Sequence, residues 1–274
     1  MTLETLELEG PDEEGLMTLV LNRPGQLNSL DGTMVRELDQ VLAQVAADPD
    51  VRVLRIRGAG RGFMAGGDLR WFAGIFADCP DPEPRRVAVT DEIRTVHRTI
   101  TAIDALQVPV VAQVHGACAG FGLSLALACD LVICSTTAKI TLAYSGIGTS
   151  PDGGSTYQLP RLIGRQRAMA LALLNQRIDG ATAESWGLFS KAVEADQLEQ
   201  QTMEICRQLA NGPREALART RRLLRAGPAT LQQTLEAEAV SFGDCSAGSE
   251  FPEGVMAFQD KRPADFRSTT GGAS

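Results

Sequence analysis

Pro109-Val110-Val111-Ala112-Gln113-Val114-His115-Gly116-Ala117-Cys118-Ala119-Gly120-Phe121-Gly122-Leu123-Ser124 decides the fold. Pro109 to Val114 reads as a short strand that runs into a Gly-rich turn, Gly116 to Ser124. An Ala/Leu-rich helix continues from Ser124 to Cys129, and Asp130-Leu131-Val132-Ile133-Cys134 gives the next strand. Strand, Gly turn, helix and strand in that order follow βαβ logic with right-handed crossovers, so the class is α/β.

The same logic extends upstream. Leu16 to Leu21 reads as a strand ended by Asn22-Arg23-Pro24-Gly25. Asp31 can cap a helix over Gly32 to Ala47, with Met34, Val35, Leu38, Val41, Leu42 and Val45 at helical spacing. Val51 to Gly58 is a second strand, leading to another Gly-rich turn, Phe63-Met64-Ala65-Gly66-Gly67-Asp68-Leu69. The Pro-rich stretch Cys79 to Pro84 is expected to be a mobile loop, and Asp91 to Leu106 to be helical. From about Glu194 the strands stop, and helices are expected over Thr202–Leu209, Pro213–Ala226 and Ala229–Phe242. The expected division is 1–195 as core, 196–266 as a helical C-terminal region and 267–274 as a disordered tail.

Bulk properties narrow the function. The chain has 274 residues, 44% hydrophobic and 22% charged, as in an ordinary soluble globular protein. Its formal net charge of -8 argues against nonspecific binding to nucleic acid or anionic membrane. The six cysteines form no CxxC pair, and the two histidines, His97 and His115, cannot build a His-rich metal site. With an acidic N-terminus and no long apolar run, neither a signal peptide nor a membrane span is expected, and a reducing cytoplasm fits best.

Asp152 is the chemical focus. It is a lone carboxylate in the loop Gly146-Ile147-Gly148-Thr149-Ser150-Pro151-Asp152-Gly153-Gly154, downstream of both Gly-rich turns. Backbone amides aimed at a developing negative oxygen, with one acid/base group, are the minimum equipment for enolate chemistry. Pro-Asp-Gly-Gly is also a good turn in its own right, in which the Asp bonds only local backbone.

The chain resembles the crotonase superfamily, the enoyl-CoA hydratase/isomerase family, from about residue 5 to residue 266. The resemblance rests on Leu21-Asn22-Arg23-Pro24 with Leu27-Asn28-Ser29-Leu30, on Phe63 to Leu69, and on His115 to Leu131. It continues through Leu159-Pro160-Arg161-Leu162-Ile163-Gly164, Ala183 to Leu188, Glu253 to Phe258 and Lys261-Arg262. It implies a ββα-spiral core with a helical C-terminal trimerisation region, giving a homotrimer or dimer of trimers. It also implies an acyl-CoA thioester substrate, with coenzyme A entering as part of the substrate and no tightly bound cofactor or metal.

By motif position, the amides of Gly67 and Phe121 should hold the thioester oxygen. Gly66-Gly67 permits close backbone approach, and Phe121 opens a helix whose dipole favours negative charge. The resemblance places Gly25, Leu27, Ala65, Asp68, Leu69, Gly120, Ser124, Tyr144 and Ile147 along the substrate, and Phe258 and Lys261 at a neighbouring subunit's adenine.

Hydratases of this family use two glutamates, and the matching positions here are Ser124 and Tyr144. Neither is appreciably ionised at neutral pH, so neither replaces a carboxylate base. Asp152 instead matches the acid/base aspartate of dienoyl-CoA and ring-modified phenylacetyl-CoA isomerases. In 4-chlorobenzoyl-CoA dehalogenases that position is the nucleophile, with a histidine at the place of His97 and an aromatic at Tyr144. Three expectations follow: an enoyl-CoA isomerase using Asp152; a dehalogenase-like or hydrolytic enzyme in which His97 activates water; or a hydratase-like CoA-binding scaffold of little activity. For several positions a structural role competes: His97 and Ser124 as helix residues, Tyr144 as pocket wall, and His115 and Asp130 as strand ends.

Overall fold

The strand β2 (Leu16–Leu21) is buried at every position, which requires neighbours on both edges and cover on both faces. A six-stranded sheet provides the neighbours, in the order β1 (Leu6–Glu9), β2, β3 (Val53–Gly58), β5 (Val110–Val114), β7 (Leu131–Ser135) and β10 (Lys191–Val193). Only the edge pair β1/β2 is antiparallel; the other pairs are parallel. The computed structural model describes residues 3–227 and 229–271, so positions 1–2, 228 and 272–274 lie outside the described residues.

A second sheet orders β4 (Gly62–Met64), β6 (Ala117–Ala119), β8 (Lys139–Thr141) and β9 (Arg177–Asp179). The chain alternates between sheets: β3 then β4, β5 then β6, β7 then β8. Helices follow each pair: α2 (Leu69–Asp78) and α3 (Pro82–Ala105), then α4 (Phe121–Ala128), then α5 (Ser155–Leu173). This is the expected ββα spiral of the crotonase fold. Its parallel connections leave the Gly-rich turns at the ends of β4 and β6, which pair in parallel through Gly62–Ala117 and Met64–Cys118.

The main core joins both sheets to α1 (Gly32–Ala47), α3 and α4. The six apolar positions expected to face inward on α1 are all buried, and the Asp31 carboxylate accepts from the Met34 amide at 2.9 Å. On the opposite face of the large sheet, Val53, Val111 and Ile133 meet Leu198, Cys206 and Ala210 of α7 (Leu198–Ala210). Cys118, Cys129, Cys134 and Cys206 are buried, and burial pushes the Cys134 and Cys206 thiols up to about 12, leaving them inert.

The Pro-rich stretch departs from expectation. Only Cys79-Pro80-Asp81 separates α2 from α3, which begins at Pro82 and extends well upstream of Asp91. Pro82 and Pro84 fall in the first turn, where amides have no intrahelical acceptor and the proline ring costs nothing.

After α6 (Gly180–Ser185), β10 and α7, the chain continues through α8 (Arg214–Arg225), α9 (Leu231–Ala247) and α10 (Glu250–Asp260). Arg221 fastens α8 to the core: its Nε donates to Asp130 Oδ2 at 2.7 Å, and its other nitrogens donate to the carbonyls of Ile103 and Asp104 at 2.6 and 2.9 Å. Asp130 Oδ2 also accepts from the Val110 amide at 2.8 Å, so this residue ties the start of β7 to β5 and α8. α9 has no buried residue. The expected disordered tail carries a 3-10 turn over Ser268–Gly271, and positions 272–274 lie outside the described residues.

Candidate active site

Two backbone segments meet where β4 and β6 end. Gly66 has φ +96°, and a Cβ there would stand 3.1 Å from the Ala119 carbonyl oxygen and 3.5 Å from the Phe121 nitrogen. Gly122 sits against Met64, where a Cβ would come within 2.3 Å of the carbonyl oxygen. Glycine is therefore required for the first turn of α4 to seat against the end of β4. Neither the Gly67 nor the Phe121 amide donates to a protein acceptor among the described residues. For Phe121, the first residue of α4, an unpaired N–H is what helix geometry dictates. The Phe72 ring covers Gly67 closely, 2.9 Å from the position of a would-be Cβ.

Asp152 lies on the turn that precedes α5, and its carboxyl Oδ1 and its carbonyl oxygen are both held. The Tyr144 hydroxyl donates to its Oδ1. Its carbonyl oxygen accepts from Ser124 Oγ at 2.9 Å and Ser155 Oγ at 3.0 Å. On the next residue, the Gly153 amide donates to His97 Nε2 at 3.1 Å. Burial raises the Asp152 carboxyl above its ordinary value, while the Tyr144 hydrogen bond pulls it partly back. Tyr144 is buried too, and that burial, with the Asp152 charge, pushes its phenol up and keeps it protonated.

Asp152, His97, Tyr144 and Ser124, separated in sequence, thus form one cluster. The mid-helix histidine is part of it because α3 packs its His97 side against the turn. Ser155 was not singled out from sequence; its place as a hydroxyl opening the helix right after Asp-Gly-Gly was the available signal. His115 ends its strand, with Nε2 at 2.9 Å from the Gly60 carbonyl oxygen.

Among the remaining residues, Leu27 and Ala65 join directly, the Ala65 amide donating to the Leu27 carbonyl at 3.0 Å. Gly25 is exposed with open space around it. Gly120 (φ +53°) caps the start of α4. Asp68 is committed to the scaffold: it accepts from the Arg70 amide at 3.0 Å and from Arg23 at 3.1 Å. Although burial opposes it, these partners hold the Asp68 carboxyl below the usual range. Leu69 and Ile147 project outward, each 56% exposed. Arg23, Gln26, Arg70 and Trp71 border a cavity of 500 Å³ where the two loops meet. Phe258 is 86% exposed on α10, and neither it nor Lys261 is hydrogen-bonded to the 23–27 or 65–69 segments among the described residues. No group of three His, Cys, Asp or Glu among the described residues is placed to hold a metal ion.

Residues 12–269 match the family model described as Enoyl-CoA hydratase/isomerase, and the chain belongs to that family. It is 36% identical to the 1,2-epoxyphenylacetyl-CoA isomerase of Escherichia coli (strain K12), over 93% of this chain and 95% of that one. It is also 31% identical to the crotonyl-CoA hydratase of Syntrophomonas wolfei, over 98% and 100% of the two chains. Among solved structures, an enoyl-CoA hydratase from Polaromonas sp. JS666 superposes with a TM-score of 0.88 at 31% identity, covering 96% of this chain and 99% of that one. Relatives of both kinds, isomerase and hydratase, therefore resemble this chain. Among the described residues, no helix is long and apolar enough to cross a membrane.

Proposed function

We propose that the protein is an acyl-CoA isomerase that uses Asp152 as its only acid/base group. The thioester oxygen sits between the Gly67 and Phe121 amides, which stabilise the negative charge that develops as a carbon conjugated with the carbonyl loses its proton. Asp152 takes that proton and returns it at another carbon of the conjugated system, so that charge and protons balance. The observation that carries this reading is the Asp152 carboxyl itself, raised by burial and bonded to Tyr144. A base poised nearer neutrality than an ordinary aspartate suits carbon deprotonation. Ser124 and Tyr144 at the hydratase glutamate positions leave no second carboxylate to activate water.

Coenzyme A is the handle of the substrate and no separate cofactor is needed. The loops Arg23–Leu27 and Ala65–Leu69 line its path, with Leu69 and Ile147 along the acyl arm, and Phe258 and Lys261 reach in from a neighbouring chain. Leu231, Leu235, Phe242, Met256 and Phe258 leave an apolar surface on α9 and α10 that suits a homotrimer or dimer of trimers. Work in the cytoplasm fits this chemistry.

Incubation of the enzyme with a panel of enoyl- and aryl-acetyl-CoA thioesters in deuterium oxide tests the reading. Deuterium incorporation with a shifted double bond is expected, and its loss in Asp152→Asn. A fully active Asp152→Asn enzyme would reject the proposal. A second reading is nucleophilic attack by Asp152 on an aryl- or acyl-CoA with water activated by His97, which requires Nε2 to leave the Gly153 amide. A covalent adduct trapped on Asp152 by mass spectrometry is its signature.

A further inference from the structure

The peptide unit between Asp152 and Gly153 is held from both sides. Its carbonyl oxygen accepts the Ser124 and Ser155 hydroxyls at 2.9 and 3.0 Å. Its N–H, on the opposite edge of the same plane, donates to His97 Nε2 at 3.1 Å. Because a peptide is planar, fixing both edges fixes the plane, and with it the bond from which the Asp152 side chain projects.

Gly153 has no freedom to settle elsewhere. Its φ is +61°, and a Cβ on it would stand 2.6 Å from Ser124 Cβ and 3.0 Å from Phe121 Cδ2. α3 reaches the turn at a second point three residues on, where Ile100 Cγ2 lies 3.9 Å from the would-be Cβ of Gly154. Residues three apart share a helix face, so α3 presents one apolar and one accepting contact to the turn.

Chemistry fixes the state of the imidazole. A nitrogen that accepts from an amide carries no proton, so His97 is neutral with its proton on Nδ1; an imidazolium has no acceptor to offer. The Nε2 lone pair is then already engaged with protein backbone and is not available to a water molecule.

We infer that His97 is a positioning residue: as a neutral acceptor for the Gly153 amide it aims the Asp152 carboxylate, and it takes no proton from substrate or water. This rests on the reading of Asp152 as the acid/base group, and it assigns the histidine a part distinct from water activation. Glutamine places an oxygen near the position of Nε2 and accepts without being a base, so it separates the two roles.

The test compares His97→Gln, His97→Leu and Asp152→Asn for kcat, KM and deuterium incorporation, alongside the 15N spectrum of the imidazole in the wild-type enzyme. His97→Leu is expected to lose about a hundredfold in kcat, the scale on which a small misplacement of a reacting group acts, with KM little changed. His97→Gln is expected to recover most of that loss. The 15N spectrum is expected to show a bare Nε2 and a protonated Nδ1. A glutamine variant as impaired as the leucine variant overturns the inference, as does a leucine variant with wild-type kcat, or an imidazole protonated at Nε2. Full activity in Asp152→Asn would instead remove the isomerase reading, while the imidazole spectrum would still report the state of His97.

Discussion

Tyr144 and Asp152 form a directional pair in which the buried phenol is the donor and the carboxylate Oδ1 the acceptor. That bond favours the ionised carboxylate and so opposes the effect of burial on its pKa. Removing the hydroxyl in Tyr144→Phe leaves burial less opposed. The Asp152 pKa is then expected to rise further, and the acidic limb of the kcat/KM profile to move to higher pH. A limb that stays in place or moves downward in the measured profile would refute the assignment of this limb to Asp152.

Asp152 also couples folding to pH. Its pKa is raised on folding, so the folded chain binds this proton more tightly than the unfolded chain. The resulting stabilisation is fully present below the unfolded carboxylate range and is lost as pH rises through the folded value. At neutral pH the ionised group is a net cost. Asp152→Asn, whose amide oxygen can still accept from Tyr144, is expected to melt above wild type near pH 7 and to converge with it in acid. Thermal melts across pH read this directly, and a lower melting temperature at neutral pH would contradict it.

Gly122→Ala tests whether the spacing of the two turns matters. The added methyl would stand 2.3 Å from the Met64 carbonyl oxygen and 2.8 Å from Met64 Cβ, so α4 has to lift from β4. Overpacking of this kind costs about 1–3 kcal/mol. On the proposed reading, displacing the Phe121 amide from the Gly67 amide weakens oxyanion stabilisation, for which loss of one donor costs about 3 kcal/mol, roughly a hundredfold in rate. A folded variant with wild-type kcat would show that the two amides need not be held together.

Arg221 carries a stability prediction away from the chemistry. It is 7% exposed against Asp130 at 19%. Arg221→Met leaves Asp130 paired with Arg225 but strips a donor from the Ile103 and Asp104 carbonyls, and each buried acceptor left unpaired costs about 1–3 kcal/mol. Arg221→Met is therefore expected to lower the denaturation midpoint strongly, with residual folded enzyme keeping its kcat. A shift within error of wild type would mean that Arg225, which also reaches Asp130, carries the contact alone.

Much of the fold was legible from local signals. Apolar spacing on α1 and the Asp31 cap specify that helix, and the strands before each Gly-rich turn specify the α/β class; the spiral is implied only by the family resemblance, because the short strands β4 and β6 lie inside stretches that read as turns. Pro82 and Pro84 lie in a first turn, where proline is tolerated, and Asp81-Pro82 is a helix-start signal that the loop expectation passes over. At the site, Asp152 was visible as a lone carboxylate in a turn. The partnership of His97 with Gly153 was not, because it depends on how α3 packs against a turn 56 positions further along the chain. Ser155 went unnoticed since a hydroxyl at a helix start ordinarily serves its own backbone.

Ser124 commits its hydroxyl to the Asp152 carbonyl. A glutamate placed at 124 would set an anion against that oxygen and a second negative charge near a carboxyl that burial already makes reluctant to ionise. The turn that carries Asp152 is thus fitted to a small neutral donor, and a carboxylate there would unsettle its anchorage.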